Sequence, residues 1–126
     1  MPSQDSRPVH ILLLENDPAD AKTVRRMLMD FPERHGGRIE LTSSVAECES
    51  RLAEDEFSIV LTDLGLPDSR GIATVGRLLA VTDTPILILT DEDSESLSMQ
   101  ALSIGVLDYL CKSELSTESL RRAILY

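Results

Sequence analysis

Short aliphatic runs, separated by segments with helical periodicity, constrain the fold of this chain more than any other feature. The runs predict strands at Val9–Glu15, Ile39–Thr42, Ser58–Asp63, Pro85–Thr90 and Val106–Leu110. Most of the runs are continuous rather than alternating, and continuous runs are typical of strands that are buried on both faces of a parallel sheet. The pattern therefore predicts a parallel sheet that is covered on both sides.

Apolar residues recur at helical spacing in the segment after each predicted strand. The five groups are Val24, Met27, Leu28 and Phe31; Val45, Cys48 and Leu52; Ile72, Val75 and Leu79; Leu97, Ala101 and Ile104; and Leu120 with Ile124. Ser43 and Ser44 are candidate N-caps of the second helix, and Gly105 is a stop signal for the fourth. Five alternations of strand and helix predict an α/β fold, a (βα)5 doubly wound five-stranded parallel sheet.

Charge, hydropathy and cysteine spacing exclude several classes of function. The 126 residues fit one domain, and their formal net charge of −10 argues against sequence-independent binding to nucleic acid or to anionic lipid, because both require a cationic face. No apolar run is long enough to span a membrane, and the N-terminus has no signal-peptide core. Cys48 and Cys111 have no metal-ligand spacing and lie among apolar neighbours, so we interpret both as small reduced core residues of a cytoplasmic protein.

Polar residues follow the predicted strands where the strands end. They are Glu15, Asn16 and Asp17 after the first strand, Asp63 at the third, Thr90 at the fourth and Lys112 after the fifth. Singly, each of these residues is most often a cap or a solvated loop residue. However, the carboxyl ends of the strands of an open parallel sheet form one binding edge, so we expect these side chains to converge.

The converging residue types indicate phosphoryl chemistry beside a hard cation. Crowded carboxylates raise one another's pKa unless a cation lies between them, and all-oxygen ligands favour Mg²⁺. A hydroxyl (Thr90) and an ammonium (Lys112) suit the oxygens of a phosphoryl group. The carboxylate of Asp63 would then attack phosphorus and form an aspartyl phosphate.

Four stretches of the sequence resemble the motifs of bacterial response-regulator receiver domains. ILLLENDPADA resembles the first strand and acidic loop of that family, and LTDLGLPDSRGI resembles the phosphoacceptor strand and the turn behind it. PILILTDEDSE resembles the fourth strand with its switch hydroxyl, and GVLDYLCKSEL resembles the last strand. The stretches occur in the family's order, so the chain is identified as a member of this family, with an expected flavodoxin-like strand order of 2-1-3-4-5.

The resemblance implies a role for each site residue. Asp63 is the phosphoacceptor, Thr90 the switch hydroxyl, Tyr109 the switch aromatic and Lys112 the phosphoryl contact. The implied ligands of Mg²⁺ are Glu15, Asn16, Asp17, Asp63 and the backbone carbonyl of Gly65.

The resemblance also implies partners and domain limits. A sensor histidine kinase or a phosphotransfer protein donates the phosphoryl group, and the surface of the fourth helix, fifth strand and fifth helix is the output face and a homodimer interface. The domain is regulatory and catalyses only its own phosphotransfer and dephosphorylation. Residues 1–8 are expected to form a disordered tail and residues 9–126 the receiver domain. The amphipathic pattern is interrupted at Tyr126, which predicts a truncated fifth helix and an output domain outside this chain.

Two of the residues that depart from the family pattern bear on the phosphorylation site. Asn16 stands where the family has its second acidic residue, so the metal site lacks one carboxylate unless Asp17 replaces it. Asp91 stands where the residue after the switch hydroxyl is usually small, and its charge is expected to slow phosphotransfer. Both departures favour an alternative, a degenerate receiver that binds a partner protein without phosphorylation. A flavodoxin-like enzyme or nucleotide-binding protein is disfavoured, because the chain lacks a glycine-rich loop after its first strand.

Overall fold

A computed structural model describes residues 7–91 and 95–125, so most of the predicted N-terminal tail lies outside the described residues. The central strands are β1 (Ile11–Leu14), β2 (Ile39–Thr42), β3 (Ile59–Thr62), β4 (Ile86–Thr90) and β5 (Asp108–Cys111). They form one parallel sheet in the order β2-β1-β3-β4-β5. The predicted (βα)5 sheet with strand order 2-1-3-4-5 is therefore confirmed.

Five helices connect or follow these strands. They are α1 (Pro18–Met29), α2 (Val45–Glu54), α3 (Ile72–Leu79), α4 (Glu95–Ser103) and α5 (Thr117–Leu125). The chain also forms 3₁₀ turns at Pro32–Arg34 and Lys112–Glu114, and a short antiparallel hairpin that pairs Gly65–Leu66 with Ser69–Arg70. Ser44 is the N-cap of α2, where its hydroxyl accepts a hydrogen bond from the Glu47 N–H, as its residue type predicts.

Two apolar layers enclose the sheet. Side chains of β1 alternate between them, because successive residues of a strand point to opposite faces. Leu12 and Leu14 pack with residues of α2, α3 and α4. Ile11 and Leu13 pack with residues of α1 and α5. β1, β3 and β4 are buried along their whole length, which explains why their sequences are continuous aliphatic runs.

The cysteines are free thiols. Cys48 lies fully buried in the layer beneath α2, and burial raises the pKa of its thiol to about 12, so the thiol stays protonated at neutral pH. Cys111 is half-buried at the end of β5, next to the site described below.

Several element ends differ from the predicted ones. α1 ends at Met29, and Phe31 is extended with φ −107° because Pro32 disfavours helical backbone in the residue before it. Phe31 is nevertheless buried, as its place in the apolar pattern indicated. α4 ends at Ser103, one residue before Ile104, and Gly105 follows with φ +108°.

The start of β5 also differs from the prediction. The strand begins at Asp108 rather than Val106, because the Val106 N–H donates to the Ala101 carbonyl and closes the C-terminus of α4. Pairing with β4 starts only at Leu107, whose N–H donates to the Ile86 carbonyl over 2.7 Å.

Candidate functional site

An open cleft of about 310 Å³ lies at the carboxyl ends of the parallel strands. Its lining residues are Glu15, Asn16, Asp17, Asp20, Asp63, Gly65, Thr90 and Asp91. The loops after β1, β3 and β4 therefore converge, as the topology of an open parallel sheet requires. The structure brings together every predicted metal ligand, the predicted phosphoacceptor and the predicted switch hydroxyl.

Lys112 binds three of the carboxylates that line this cleft. Its ammonium is 2.5 Å from Glu15 Oε1, 2.9 Å from Asp20 Oδ2 and 3.0 Å from Asp63 Oδ2. Only 8% of the Lys112 side chain is exposed. An ammonium has three N–H donors, so these carboxylates account for all of them. The lysine thereby joins the segment after β5 to β1, α1 and β3.

Burial and pairing set the ionisation of this cluster. Burial of Glu15, whose side chain is 2% exposed, raises the pKa of its carboxyl, although hydrogen bonds from Lys112 and the Asp17 N–H oppose the shift. Burial alone would lower the pKa of Lys112, but hydrogen bonds to Asp20, Glu15 and Asp63 outweigh it and raise that pKa. Lys112 is therefore a permanent cation at neutral pH.

Asp63 is positioned by its backbone and by both carboxylate oxygens. Its N–H donates to the Leu14 carbonyl over 3.0 Å, which fixes the end of β3 beside the end of β1. Oδ1 accepts a 2.7 Å hydrogen bond from the Leu64 N–H, and Oδ2 accepts from Lys112. The side chain is 14% exposed, so it remains accessible from the cleft.

The acidic loop after β1 places its three residues differently. Glu15 is buried, and its Oε2 accepts a hydrogen bond from the Asp17 N–H over 3.1 Å. Asn16 is exposed at the cleft. Asp17 is the N-cap of α1, where its Oδ1 accepts from the N–H groups of Ala19 and Asp20. Asp17 thus lines the cleft while it caps a helix.

The two predicted switch residues occupy different places. Thr90 is 3% exposed at the end of β4 and lines the cleft. Tyr109 lies on β5 beside Ile88 of β4 and packs half-buried against the core layer of α2, α3 and α4. Tyr109 is therefore on the same side of the sheet as α4 and outside the lining of the cleft.

Asp20 is the site residue that the sequence prediction missed. It lies in the first turn of α1, three residues after the N-cap Asp17, and its carboxylate points to Lys112. The sequence did contain a signal, because a helix starting at Pro18 places Asp20 beside the strand-end loop. Without the cap position, the rotation of the helix is undetermined.

Asp68 is a second polar residue with an unpredicted role. It stands in the LPDSRG turn after the cleft and accepts hydrogen bonds from the N–H groups of Val45 and Ala46, at 2.9 and 3.0 Å. These bonds lower the pKa of the Asp68 carboxyl. Asp68 thereby ties the hairpin behind Asp63 to the N-terminus of α2.

The chemistry of the donors fits a hard divalent cation. The cleft lining offers five carboxylates, one amide and the carbonyl of Gly65, all of them oxygen donors, and Lys112 counters part of their charge. The positions are not preassembled, because no three acidic, histidine or cysteine side chains among residues 7–91 and 95–125 surround a common metal position.

The family model of the response regulator receiver domain matches residues 11–125. The chain belongs to the response regulator receiver family. It is 29% identical over 106 residues to protein-glutamate methylesterase/protein-glutamine glutaminase 2 of Anaeromyxobacter dehalogenans, covering 84% of the chain and 30% of that protein. It is 30% identical over 93 residues to the transcriptional regulatory protein SrrA of Staphylococcus aureus, covering 74% of the chain and 39% of that protein. The chain thus spans only 30% and 39% of the length of these two relatives.

Solved structures agree with this membership. A two-component response regulator from Clostridium difficile superposes with a TM-score of 0.78 at 25% identity, covering 93% of the receiver and 95% of that chain. A response regulator receiver domain from Clostridium thermocellum gives a TM-score of 0.79 at 21% identity, covering 93% and 91%, and shows the fold alone. None of the helices within residues 7–91 and 95–125 combines the length and the apolar character that a membrane span requires.

Proposed function

We propose that this receiver accepts a phosphoryl group on Asp63 from the phosphohistidine of a sensor histidine kinase or phosphotransfer protein. One observation carries the proposal: the Asp63 carboxylate is accessible in the cleft and lies 3.0 Å from a buried, permanently charged Lys112. A nucleophilic carboxylate beside a fixed cation is the arrangement that transfer of an anionic phosphoryl group requires.

The transfer step uses the chain's own residues. An Asp63 oxygen forms the new bond to phosphorus as the bond to the donor's histidine nitrogen breaks, and the histidine leaves with the bonding electrons. The ammonium of Lys112 neutralises the transferred oxygens, which replace the contact with Asp63 Oδ2. Mg²⁺, when bound, neutralises further charge on those oxygens, and its proposed ligands are Glu15, Asn16, Asp17, Asp63 and the Gly65 carbonyl.

The response to phosphorylation is proposed to pass through β4 and β5. Thr90, at the end of β4, would donate its hydroxyl to the phosphoryl group. Tyr109 would then turn inward, because it packs on the side of the sheet that Thr90 vacates on moving. The α4–β5–α5 face would then change conformation, because the added phosphoryl charge shifts the equilibrium between its two states.

Exposed apolar side chains support a homodimer through this face. Met99 and Leu102 on α4 are 64% and 47% exposed, and Leu107 before β5 is 41% exposed. Such side chains favour a protein contact when they lie together. The same proposal includes an output domain joined to this receiver and a cytoplasmic location. The domain is proposed to be regulatory and to catalyse only its own phosphotransfer and dephosphorylation.

Phosphorylation by acetyl phosphate tests the function directly. With Mg²⁺ present, intact mass spectrometry is expected to detect one added phosphoryl group, which hydroxylamine removes because it is an acyl phosphate. Asp63→Asn should remain unmodified, whereas Asp30→Asn, a matched change at the exposed C-cap of α1, should behave like the wild type. Modification of Asp63→Asn to the same extent as the wild type would contradict the proposal.

A degenerate receiver is the second candidate, and two residues of the cleft favour it. Asn16 brings no charge to the metal site, and Asp91 adds a carboxylate to the lining through which a phosphoryl group must enter. This alternative predicts no phosphorylation at any Mg²⁺ concentration, together with partner binding that Asp63→Asn leaves unchanged.

A further inference from the structure

Asn16 leaves the cleft without one carboxylate, and the described structure identifies the residue suited to replace it. Four carboxylates other than that of Asp91 line the cleft. Glu15 and Asp63 have both of their oxygens engaged: Glu15 with Lys112 and the Asp17 N–H, Asp63 with Lys112 and the Leu64 N–H. Neither side chain has an oxygen that is free of competing donors.

Asp17 is also committed to another task. Its Oδ1 accepts from the N–H groups of Ala19 and Asp20, at 2.9 and 3.3 Å, and so caps α1. Turning this carboxylate fully into the cleft would break both capping bonds and leave the first turn of the helix without an acceptor.

Asp20 differs from Glu15 and Asp63 because one of its oxygens has no donor among the described residues, and from Asp17 because it caps no helix. Its Oδ2 binds Lys112 over 2.9 Å, while its Oδ1 accepts no hydrogen bond within the described part of the chain. The side chain is 34% exposed and faces the cleft that Asp63 and Gly65 line. Asp20 lies in the first turn of α1, so its backbone position is fixed by the helix.

We propose that Asp20 supplies to bound Mg²⁺ the carboxylate that Asn16 lacks, binding the ion through Oδ1 or through one of the ion's waters. The inference rests on the proposed function, because it assigns a ligand at the same site. The charge that Asn16 lacks is thereby supplied from the first turn of α1, by a residue that also binds Lys112.

Mg²⁺ titration of the full chain, followed by ¹H–¹⁵N NMR, tests this assignment without reference to phosphorylation. Asp20→Asn is expected to weaken Mg²⁺ binding about tenfold or more, as loss of a supporting ligand does. Asp30→Asn removes the same charge at the opposite, exposed end of α1 and is expected to leave the affinity unchanged. In the double variant N16D/D20N, affinity should return to near the wild-type value.

A weakened affinity in Asp20→Asn would have a second explanation if Asp20 acted only by holding Lys112. The ¹³Cγ resonance of Asp20 in the wild-type chain separates the two. It is expected to shift during the Mg²⁺ titration with the same midpoint as that of Asp63. In the variant Lys112→Gln, Asp20→Asn should still weaken binding.

The outcomes that overturn the inference are distinct from failure of the proposed function. Unchanged Mg²⁺ affinity in Asp20→Asn, an equal loss in Asp30→Asn, or an unshifted Asp20 ¹³Cγ resonance overturns the role of Asp20 while Asp63 still responds to a phosphoryl mimic. If the wild-type chain binds neither Mg²⁺ nor the mimic, the proposed function fails as well.

Discussion

Lys112 donates a 3.0 Å hydrogen bond to Asp63, although 49 residues separate the two in the chain. The pairing follows from topology, because β3 and β5 flank β4 and end at the same edge of the sheet. The same ammonium holds Glu15 and Asp20. One cation thereby joins four segments of the fold at the proposed phosphorylation site.

Loss of Lys112 is expected to destabilise the fold of the receiver as well as to impair phosphotransfer. Lys112→Gln leaves the buried carboxylate of Glu15 without its counter-charge, which costs about 3 kcal/mol of the free energy of unfolding at pH 7. Urea unfolding checks this value. The double variant E15Q/K112Q should lose less than the sum of the two single changes, whereas simple additivity would show that the pair is not coupled.

The hydrogen bonds of Asp68 to the N-terminus of α2 predict a pH-dependent contribution to stability. The pKa of Asp68 is lowered from its ordinary value of 3.8, chiefly by hydrogen bonds from the N–H groups of Val45 and Ala46. A lowered folded-state pKa gives stability that is present above pH 3.8 and is lost as the pH falls through the folded-state value.

Thermal unfolding of Asp68→Asn compared with the wild type tests this sign. The variant should melt at a lower temperature at pH 7, and the difference should shrink below pH 3.8, where the wild-type carboxylate also protonates. A difference in melting temperature that stays constant down to the lowest measurable pH would refute a stabilising role of the ionised Asp68 carboxylate.

Removal of the charge at Asp91 is expected to speed phosphorylation. Asp91 is exposed in the lining of the cleft, so its carboxylate repels an incoming dianion. Asp91→Ser should raise the rate of phosphorylation by acetyl phosphate about two- to fivefold at low salt, and the gain should fade at high salt. A rate that is unchanged at low ionic strength would indicate that the carboxylate does not face the path of the donor.

A cavity in the aliphatic core is expected to lower the free energy of unfolding substantially. Leu61 is fully buried at the middle of β3, in the layer shared with α1 and α5. Leu61→Ala should cost about 2–5 kcal/mol of the free energy of unfolding. The exposed Leu102→Ala is the matched control, and a similar loss in both variants would contradict the assigned core.

The sequence predicted the sheet and most of the site because both depend on strand ends. Continuous aliphatic runs located the strands, and the residues after them, such as Asp63, Thr90 and Lys112, converge in any sheet of this topology. Asp20 was missed because its direction depends on where α1 starts, which the Asp17 cap decides. The role of Asp68 depends on a contact 23 residues away in sequence, which no local pattern contains.

Beryllofluoride, a stable mimic of the aspartyl phosphate, tests the central claim most directly. In a Mg²⁺-dependent titration followed by ¹H–¹⁵N NMR, the wild-type chain should show shifts at Thr90, Tyr109 and α4, and Asp63→Asn should show none. Such a response would establish a working switch despite Asn16. No response at millimolar Mg²⁺, or equal shifts in Asp63→Asn, would contradict phosphorylation at Asp63 and favour a receiver that acts by binding alone.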